Sequence, residues 1–307
     1  MRAGDYAPDI LVTFGQPMSD HLIGLELKKI NGWPWVAHFS DPWVDNPFHR
    51  YDALSHARNL SLERSVMQAA DCLVFTSEET IEMVMSKYPD EWRTKARVLP
   101  QSFDADLFTT RAAERADGLT IRYTGEFYGH RTPKPLITAL RALLAADPSI
   151  LSDVRFELIG PVDPLTLVDS GLESLPEELI VIKPPVNYQE SLSLLASASG
   201  LMIIDAPAKK SVFLPSKLID YIGAGRPVIG LTPPGAAAIL IQQLGGWVAD
   251  PSDGAAMAET LKAFLLRLHQ EREHDAPPWG QPLIRRNYEA AVVARSFEEI
   301  LRELLRT

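Results

Sequence analysis

The residues with the clearest chemical signal lie together in the second half of the chain, in the string VFLPSKLIDYIGAGRPVIG. Pro215 can enter a helix without the loss of a backbone donor, and Ser216 can cap that helix. The amides of Lys217 and Leu218 would then be free to meet phosphate oxygens. Asp220 lies one turn further on, and its acceptor-only carboxylate suits ribose hydroxyls. The string therefore predicts a nucleotide-binding helix, although a plain helix that begins at Pro-Ser and ends at Gly-Ala-Gly fits the same letters.

Two other acidic patterns point to different chemistry. Asp41 follows a predicted strand in the string FSDPW, where a carboxylate can orient or deprotonate a hydroxyl, although Asp before Pro also starts turns. Asp104 and Asp106 have the Asp-x-Asp spacing that some enzymes use to hold a divalent cation. That pair lies between two predicted domains and not at the end of a nucleotide-binding strand, so we predict no metal site.

The elements that must position these residues alternate along the chain. Short apolar runs bounded by turn residues are followed by segments of helical periodicity, which is typical of a parallel sheet covered by helices. In the first half the predicted strands are 9–14, 35–39 and 72–75, and the predicted helices are 19–30, 53–70 and 76–87. In the second half the predicted strands are 119–124, 154–159, 179–182, 201–204 and 227–231, and the predicted helices are 133–146, 188–196, 216–223, 235–243 and 254–272.

This alternation predicts an α/β protein with two Rossmann-like, doubly wound domains. The first covers residues 1–99, a polar linker without strand period covers 100–118, and the second covers 119–275. The segment 276–307 follows a run rich in proline and has an apolar helical stripe, so we expect a C-terminal helix that can pack back on the first domain. Parallel sheets bind ligands at the carboxyl ends of their strands, so we expect both sheets to face one cleft.

Composition narrows the class of protein. The 307 residues are 46% hydrophobic and 23% charged, which is ordinary for a globular chain. Lys plus Arg number 30 and Asp plus Glu number 40, and the resulting net charge of −10 is the opposite of what a nucleic-acid partner requires. The single cysteine, Cys72, lies in an apolar run and is predicted to be a buried free thiol.

The location of the chain is also constrained by its hydropathy. No run approaches the roughly 18 consecutive apolar residues of a membrane-spanning helix, and the first residues lack an apolar signal core. We therefore predict a cytoplasmic protein without a transmembrane segment. Peripheral contact with a membrane surface stays open.

The string LPSKLIDYIGAGRPVIGL resembles the donor-site segment of glycosyltransferase family 4, whose members have the GT-B fold. The strings SDHLIGLELKKINGWPWVAHFSDPWVDNPF and ADCLVFTSEETIEMV are similar to the acceptor-domain stretch of that family, and VLPQSFDADLF to its interdomain segment. The similarity runs from about Asp9 to Asp250. It implies sugar transfer from a nucleotide-diphosphate sugar to a saccharide or lipid-linked acceptor, with retention at the anomeric carbon and without a metal or another cofactor.

The resemblance assigns roles to individual residues. In the family's Glu-x7-Glu signature the second carboxylate, which binds ribose, falls on Asp220, whereas the first falls on Val212, which cannot hydrogen-bond to a sugar. Gly125 matches the glycine that lets the backbone approach the diphosphate. Arg131 and Lys134 are the candidates for the cations that neutralise the leaving diphosphate.

Three further residues are candidates for the donor pocket. Val186 and Tyr188 match the region that lines the base, and packing within a loop fits both equally well. His130 is a candidate phosphate contact because it lies next to Arg131. No glycine-rich loop precedes Asp9, so we expect a first domain shorter than the family's.

Two alternative functions are compatible with these features. A nucleotide-sugar epimerase of the same fold also cleaves an anomeric C–O bond, but it needs several acid-base groups near the sugar, and the sequence offers few. A non-catalytic nucleotide-binding or partner protein derived from a glycosyltransferase is the other alternative, which Val212 favours.

Overall fold

The computed structural model describes residues 8–108, 118–127, 129–271 and 278–306. These residues form two compact units. The first contains the described residues up to Gln101, the short segment Val212–Leu214 and the residues from Ala291 onward. The second contains Ser102–Ser211 and Pro215–Ala290. Residues 109–117 of the predicted linker and residues 276–277 of the predicted C-terminal segment lie outside the described residues.

The first unit is built on a parallel sheet with strands in chain order. Its elements are β1 (Leu11–Gly15), α1 (Ser19–Asn31), β2 (Trp35–Phe39), α2 (Ala53–Ala69), β3 (Cys72–Phe75), α3 (Glu78–Met85), α4 (Asp90–Arg93) and β4 (Ala96–Val98). The sheet order is β1-β2-β3-β4, and every pair is parallel.

The second unit carries a larger parallel sheet. Its elements are β5 (Leu119–Thr124), α5 (Lys134–Ala146), β6 (Val154–Ile159), α6 (Pro164–Ser170), β7 (Ile180–Lys183), α7 (Tyr188–Ser197), β8 (Gly200–Ile204), α8 (Ser216–Ala224), β9 (Val228–Leu231), α9 (Ala236–Gln243), β10 (Trp247–Ala249), α10 (Gly254–Glu271) and α11 (Pro282–Arg286). Short 3-10 helices cover Ala105–Phe108, Pro148–Leu151 and Leu172–Ser174, and the last helix of the chain is α12 (Ala290–Leu304). The sheet order is β10-β9-β8-β5-β6-β7.

The order of this second sheet contains one reversal. The chain runs outward from β5 through β6 to β7 and then returns to place β8 on the other side of β5. Such a reversal opens a crevice at the carboxyl ends of the two central strands, where ligands of doubly wound sheets bind. The predicted α/β class with two parallel, Rossmann-like sheets is confirmed.

The cores explain why these apolar runs become strands. In the first unit Trp35 and Phe39 are fully buried on the helix-covered face of the sheet, while Val36 and Val74 pack on the other face against Ile300 of α12. In the second unit α5 and α10 cover a core that includes the sheet residues Ile121, Tyr123 and Phe156. Cys72 is buried as a free thiol, as predicted. Among the described residues, no helix combines the length and apolarity needed to span a membrane.

The predicted C-terminal helix is present as α12 (Ala290–Leu304), and the short helix α11 precedes it as a separate element. The chain breaks between α11 and α12, where the Phe103 amide donates to the Tyr288 carbonyl and the Ala290 amide donates to the Phe103 carbonyl, both at 2.9 Å. These two bonds satisfy the backbone by extended pairing rather than by helical bonds, so the apolar stripe of the sequence does not continue as one helix.

Candidate functional site

The candidate site lies at the carboxyl ends of β5 and β8, where the order of the second sheet reverses. Gly125 directly follows β5, and Asp205 directly follows β8. Lys217 lies in the first turn of α8, and Arg131 lies in the segment that leads from β5 to α5. The parallel register of the sheet therefore brings together residues that are up to 92 positions apart in the sequence, the separation of Gly125 and Lys217.

The amine of Lys217 is held against the end of β5. Its Nζ donates to Tyr123 Oη at 2.9 Å and lies 4.1 Å from the centroid of that ring. Tyr123 Oη donates in turn to the Glu126 carbonyl at 3.2 Å, so its remaining lone pairs face the lysine. Burial lowers the pKa of Lys217 to about 7, helped by the positive charge of Arg131 and opposed by Asp205.

Gly125 is required at this point for two reasons. Its φ of +129° lies in the region that side chains rarely adopt, and a Cβ built there would overlap Lys217 Nζ. Any residue larger than glycine would therefore have to displace the Lys217 amine.

Arg131 is fixed by a buried ion pair. Its Nη2 donates to Asp205 Oδ1 at 2.6 Å, and both side chains are about nine-tenths buried. Thr232 Oγ1, just after β9, donates to the other oxygen of Asp205 at 3.4 Å. Sequence reasoning missed Asp205, although its position directly behind the apolar run LMII was a usable signal.

Asp220 and Tyr188, predicted separately, lie in contact. Tyr188 Oη donates to Asp220 Oδ1 at 3.1 Å, and the tyrosine ring is 58% exposed. Burial raises the pKa of Asp220, while the hydrogen bond from Tyr188 lowers it. Burial also raises the pKa of Tyr188, with the charge of Asp220 acting in the same direction. The exposed ring beside a carboxylate is an arrangement that can hold a base and a ribose.

The start of α8 differs from the prediction. Pro215 is the N-cap residue, without a side-chain cap bond, and Ser216 is the first residue of the helix. The predicted cap by Ser216 is therefore wrong, and so is the free amide of Leu218, which donates to the Pro215 carbonyl at 2.9 Å. Within the described part of the chain, the amides of Ser216 and Lys217 have no acceptor, as expected for the first turn of a helix.

The other predicted donor residues are more peripheral. Lys134 is the first residue of α5 and is exposed, and His130 is exposed in the preceding segment. Val186 is half-buried between β7 and α7. Val212 is buried, and within the first unit its carbonyl accepts hydrogen bonds from two hydroxyl groups of α3 and its N-cap.

Asp41 follows β2 in the first unit. Gln16 Nε2 donates to Asp41 Oδ2 at 3.5 Å, and burial raises the pKa of Asp41, while the charge of His49 lowers it. His38 lies on the same strand end, and burial lowers its pKa. His21 is fully buried beside Thr13, and burial lowers its pKa to about 4.

No protein-family model matches the chain, and the search of curated proteins gives no match. Solved structures do match over nearly the whole chain. Sucrose-phosphate synthase from Thermosynechococcus elongatus has a TM-score of 0.72 at 15% identity, covering 98% of this chain and 75% of that one. Anabaena Alr3699/HepE in complex with UDP has a TM-score of 0.71 at 14% identity, covering 95% and 79%. The α,α-trehalose 6-phosphate synthase from Burkholderia multivorans has a TM-score of 0.66 at 13% identity, covering 97% and 72%. The chain therefore has the two-domain GT-B fold of glycosyltransferases.

Proposed function

We propose that the chain is a glycosyltransferase, of the family 4 type that its sequence resembles, which transfers a sugar from a nucleotide-diphosphate sugar to an acceptor hydroxyl with retention. The observation that carries the proposal is the group of residues at the switch point between β5 and β8. That group occurs in a fold shared with a protein solved with UDP and with UDP-glucose. The proposal places the reaction in the cytoplasm, at a membrane surface where the acceptor is lipid-linked.

In this proposal the diphosphate lies across Gly125, at the start of α8. The amides of Ser216 and Lys217 lack protein acceptors among the described residues and would donate to its oxygens. Arg131 and Lys134 supply positive charge to the departing diphosphate, which stabilises the negative charge that develops as the anomeric bond breaks. No metal or other cofactor forms part of the proposal.

The nucleoside end of the donor would be held by the neighbouring contact. Asp220 accepts from ribose hydroxyls, and Tyr188 and Val186 flank the base, with His130 near the phosphates. The observed hydrogen bond between Tyr188 and Asp220 fixes the carboxylate before a ligand arrives. Preorganisation of this kind lowers the entropic cost of binding.

Asp41 is the proposed acceptor-side residue. Burial raises the pKa of its carboxyl group, which makes the carboxylate a stronger base toward a hydroxyl proton. The acceptor is a saccharide or a lipid-linked sugar, as the resemblance implies.

Thermal melting of the protein tests the proposal directly. We expect the midpoint to rise with one of UDP, GDP, ADP and TDP, and with a sugar conjugate of that same base, because binding to the folded state stabilises it by mass action. Product configuration, read from the anomeric coupling in NMR spectra, then tests retention. No rise with any of these nucleotides or conjugates would contradict the proposal.

A second candidate is a nucleotide-binding protein without transferase activity, and Val212 favours it. The apolar side chain is buried where the resemblance expects a carboxylate for the donor sugar. Incubation with the bound sugar nucleotide distinguishes the candidates. Transfer to an added acceptor supports the transferase, conversion of the sugar without an acceptor indicates an epimerase, and binding without turnover indicates the non-catalytic protein.

A further inference from the structure

Lys217 differs from Arg131 in the partner of its charged group. Arg131 is paired with Asp205 at 2.6 Å, whereas Lys217 Nζ donates to the phenol oxygen of Tyr123. Within the described residues, no carboxylate forms an ion pair with Lys217. A partly buried amine without a counterion, at the ligand-binding end of a parallel sheet, is suited to an anionic ligand.

The groups around Lys217 come from three parts of the fold. β5 contributes the Tyr123 ring, the segment after β5 contributes Arg131, and the end of β8 contributes Asp205. The charges of Arg131 and Asp205 oppose each other, and Asp220 lies one turn further along α8. Burial and the positive charge of Arg131 therefore outweigh the attraction of Asp205, and the pKa of Lys217 falls to about 7.

We propose that Lys217 takes up one proton from solvent when the donor's diphosphate binds, and that the resulting ammonium group holds a phosphate oxygen opposite Gly125. The inference deepens the proposed function and rests on it. The step moves one proton from solvent to Nζ and forms no covalent bond. When the diphosphate leaves, the proton returns to solvent.

The physical reason is the change in charge at the site. A bound diphosphate brings at least two negative charges close to Nζ, which favours the ammonium form and raises the pKa of the amine. The empty site holds a mixture of amine and ammonium at neutral pH, because the pKa is about 7. The affinity for the nucleotide then falls by up to about tenfold for each pH unit above 7, until the pKa of the complex is reached.

Calorimetric titration with the nucleoside diphosphate that stabilises the protein measures this proton directly. Titrations at pH 7.5 in two buffers of different ionisation enthalpy give the number of protons taken up for each nucleotide bound. We expect about 0.8 proton for the wild type at this pH, from a pKa of about 7. Lys217→Arg stays charged and should bind with uptake near zero, which also subtracts any proton that the nucleotide itself exchanges. Lys262→Met is the matched control and should keep the wild-type uptake. Lys262 lies in α10, and its amine is paired with Asp147 at 3.0 Å rather than with any residue of the candidate site.

The outcomes separate the inference from the proposed function. Equal uptake in the wild type and in Lys217→Arg, with both proteins binding, overturns the role of Lys217 and leaves nucleotide binding intact. Loss of the proton uptake in Lys134→Met but not in Lys217→Arg assigns the proton to Lys134. That result also overturns the role of Lys217. A wild type that binds none of the nucleotides between pH 6 and pH 9 contradicts the proposed function itself. Melting curves of each variant without ligand confirm that it is folded.

Discussion

The carboxyl ends of the two parallel sheets have the same architecture but opposite chemistry. In the first unit, the groups that follow or flank β2 are the carboxyl group of Asp41 and the histidines His21 and His38, and burial disfavours the charged form of all three. In the second unit, Lys217 and Arg131 face the end of β5, and only the arginine has a carboxylate partner.

Under the proposed function, this difference adapts one architecture to two ligands. Parallel strands fix where a ligand can lie, and the side chains that follow the strands decide which charge that ligand carries. In that proposal the neutral end, with Asp41, His21 and His38, binds the hydroxyl-bearing acceptor. The cationic end, with Lys217 and Arg131, binds the diphosphate. Variants that disturb one end only are therefore the direct way to test the comparison.

The largest effect is expected from the buried ion pair. Asp205→Leu removes the carboxylate from the Arg131 guanidinium, and the free energy of unfolding should fall by about 3–5 kcal/mol in urea titrations. The double variant Arg131→Met with Asp205→Leu should recover most of that loss, because two apolar groups replace two charges, but it should not recover nucleotide binding. If the free energy of unfolding of Asp205→Leu lies within about 1 kcal/mol of the wild-type value, the ion pair does not stabilise this end of the sheet.

A smaller effect is expected from the neutral end as the pH falls. His21 is fully buried, and its pKa is about 4 in the folded chain against 6.5 in the unfolded chain. Because the folded state excludes a proton that the unfolded state binds, stability is lost as the pH falls from 6.5 toward 4. The loss from this residue reaches about 3 kcal/mol. The free energy of unfolding, measured at several pH values, should fall by that amount less in His21→Gln than in the wild type as the pH drops from 6.5 to 4. An equal fall in both proteins would assign the loss to other groups.

Much of the fold is predictable from the sequence, because strands buried on both faces appear as continuous apolar runs. The bounds of β2, β5 and β6 agree with the prediction residue by residue. The strands β4 (Ala96–Val98) and β10 (Trp247–Ala249) were not predicted, since three residues at the edge of a sheet are too few to show a period.

The site is predictable only in part, because sheet order is not visible in the sequence. Asp220 and Tyr188 each follow from motif or resemblance, but their contact depends on the packing of α7 against α8. The pairing of Arg131 with Asp205 requires β8 to lie beside β5, and no local pattern encodes that neighbour. The contact between the Lys217 amine and Tyr123 joins α8 to β5, so it is not visible in the sequence for the same reason.

Gly125→Ala should weaken both nucleotide binding and the fold. Its φ of +129° strains any side chain, and its Cβ would displace Lys217 Nζ, so we expect at least about a tenfold loss of affinity beside a stability loss of about 1–3 kcal/mol. Gly245→Ala is the matched control, since Gly245 also has a positive φ, +84°, and its Cβ would meet no atom within 4 Å. Equal effects of the two variants on affinity would mean that the space at Gly125 is not used by the ligand.

The smallest effect is expected at the contact between Tyr188 and Asp220. Tyr188→Phe removes one exposed hydrogen bond but keeps the ring, so the nucleotide affinity should fall only about two- to fivefold. Asp220→Ala removes the ribose acceptor as well and should cost about tenfold or more. Binding titrations of both single variants and of the double variant complete a cycle. If the tyrosine acts by orienting the carboxylate, Tyr188→Phe has little further effect once Asp220 is gone, whereas an equal effect in both backgrounds would show that the ring contacts the nucleotide independently.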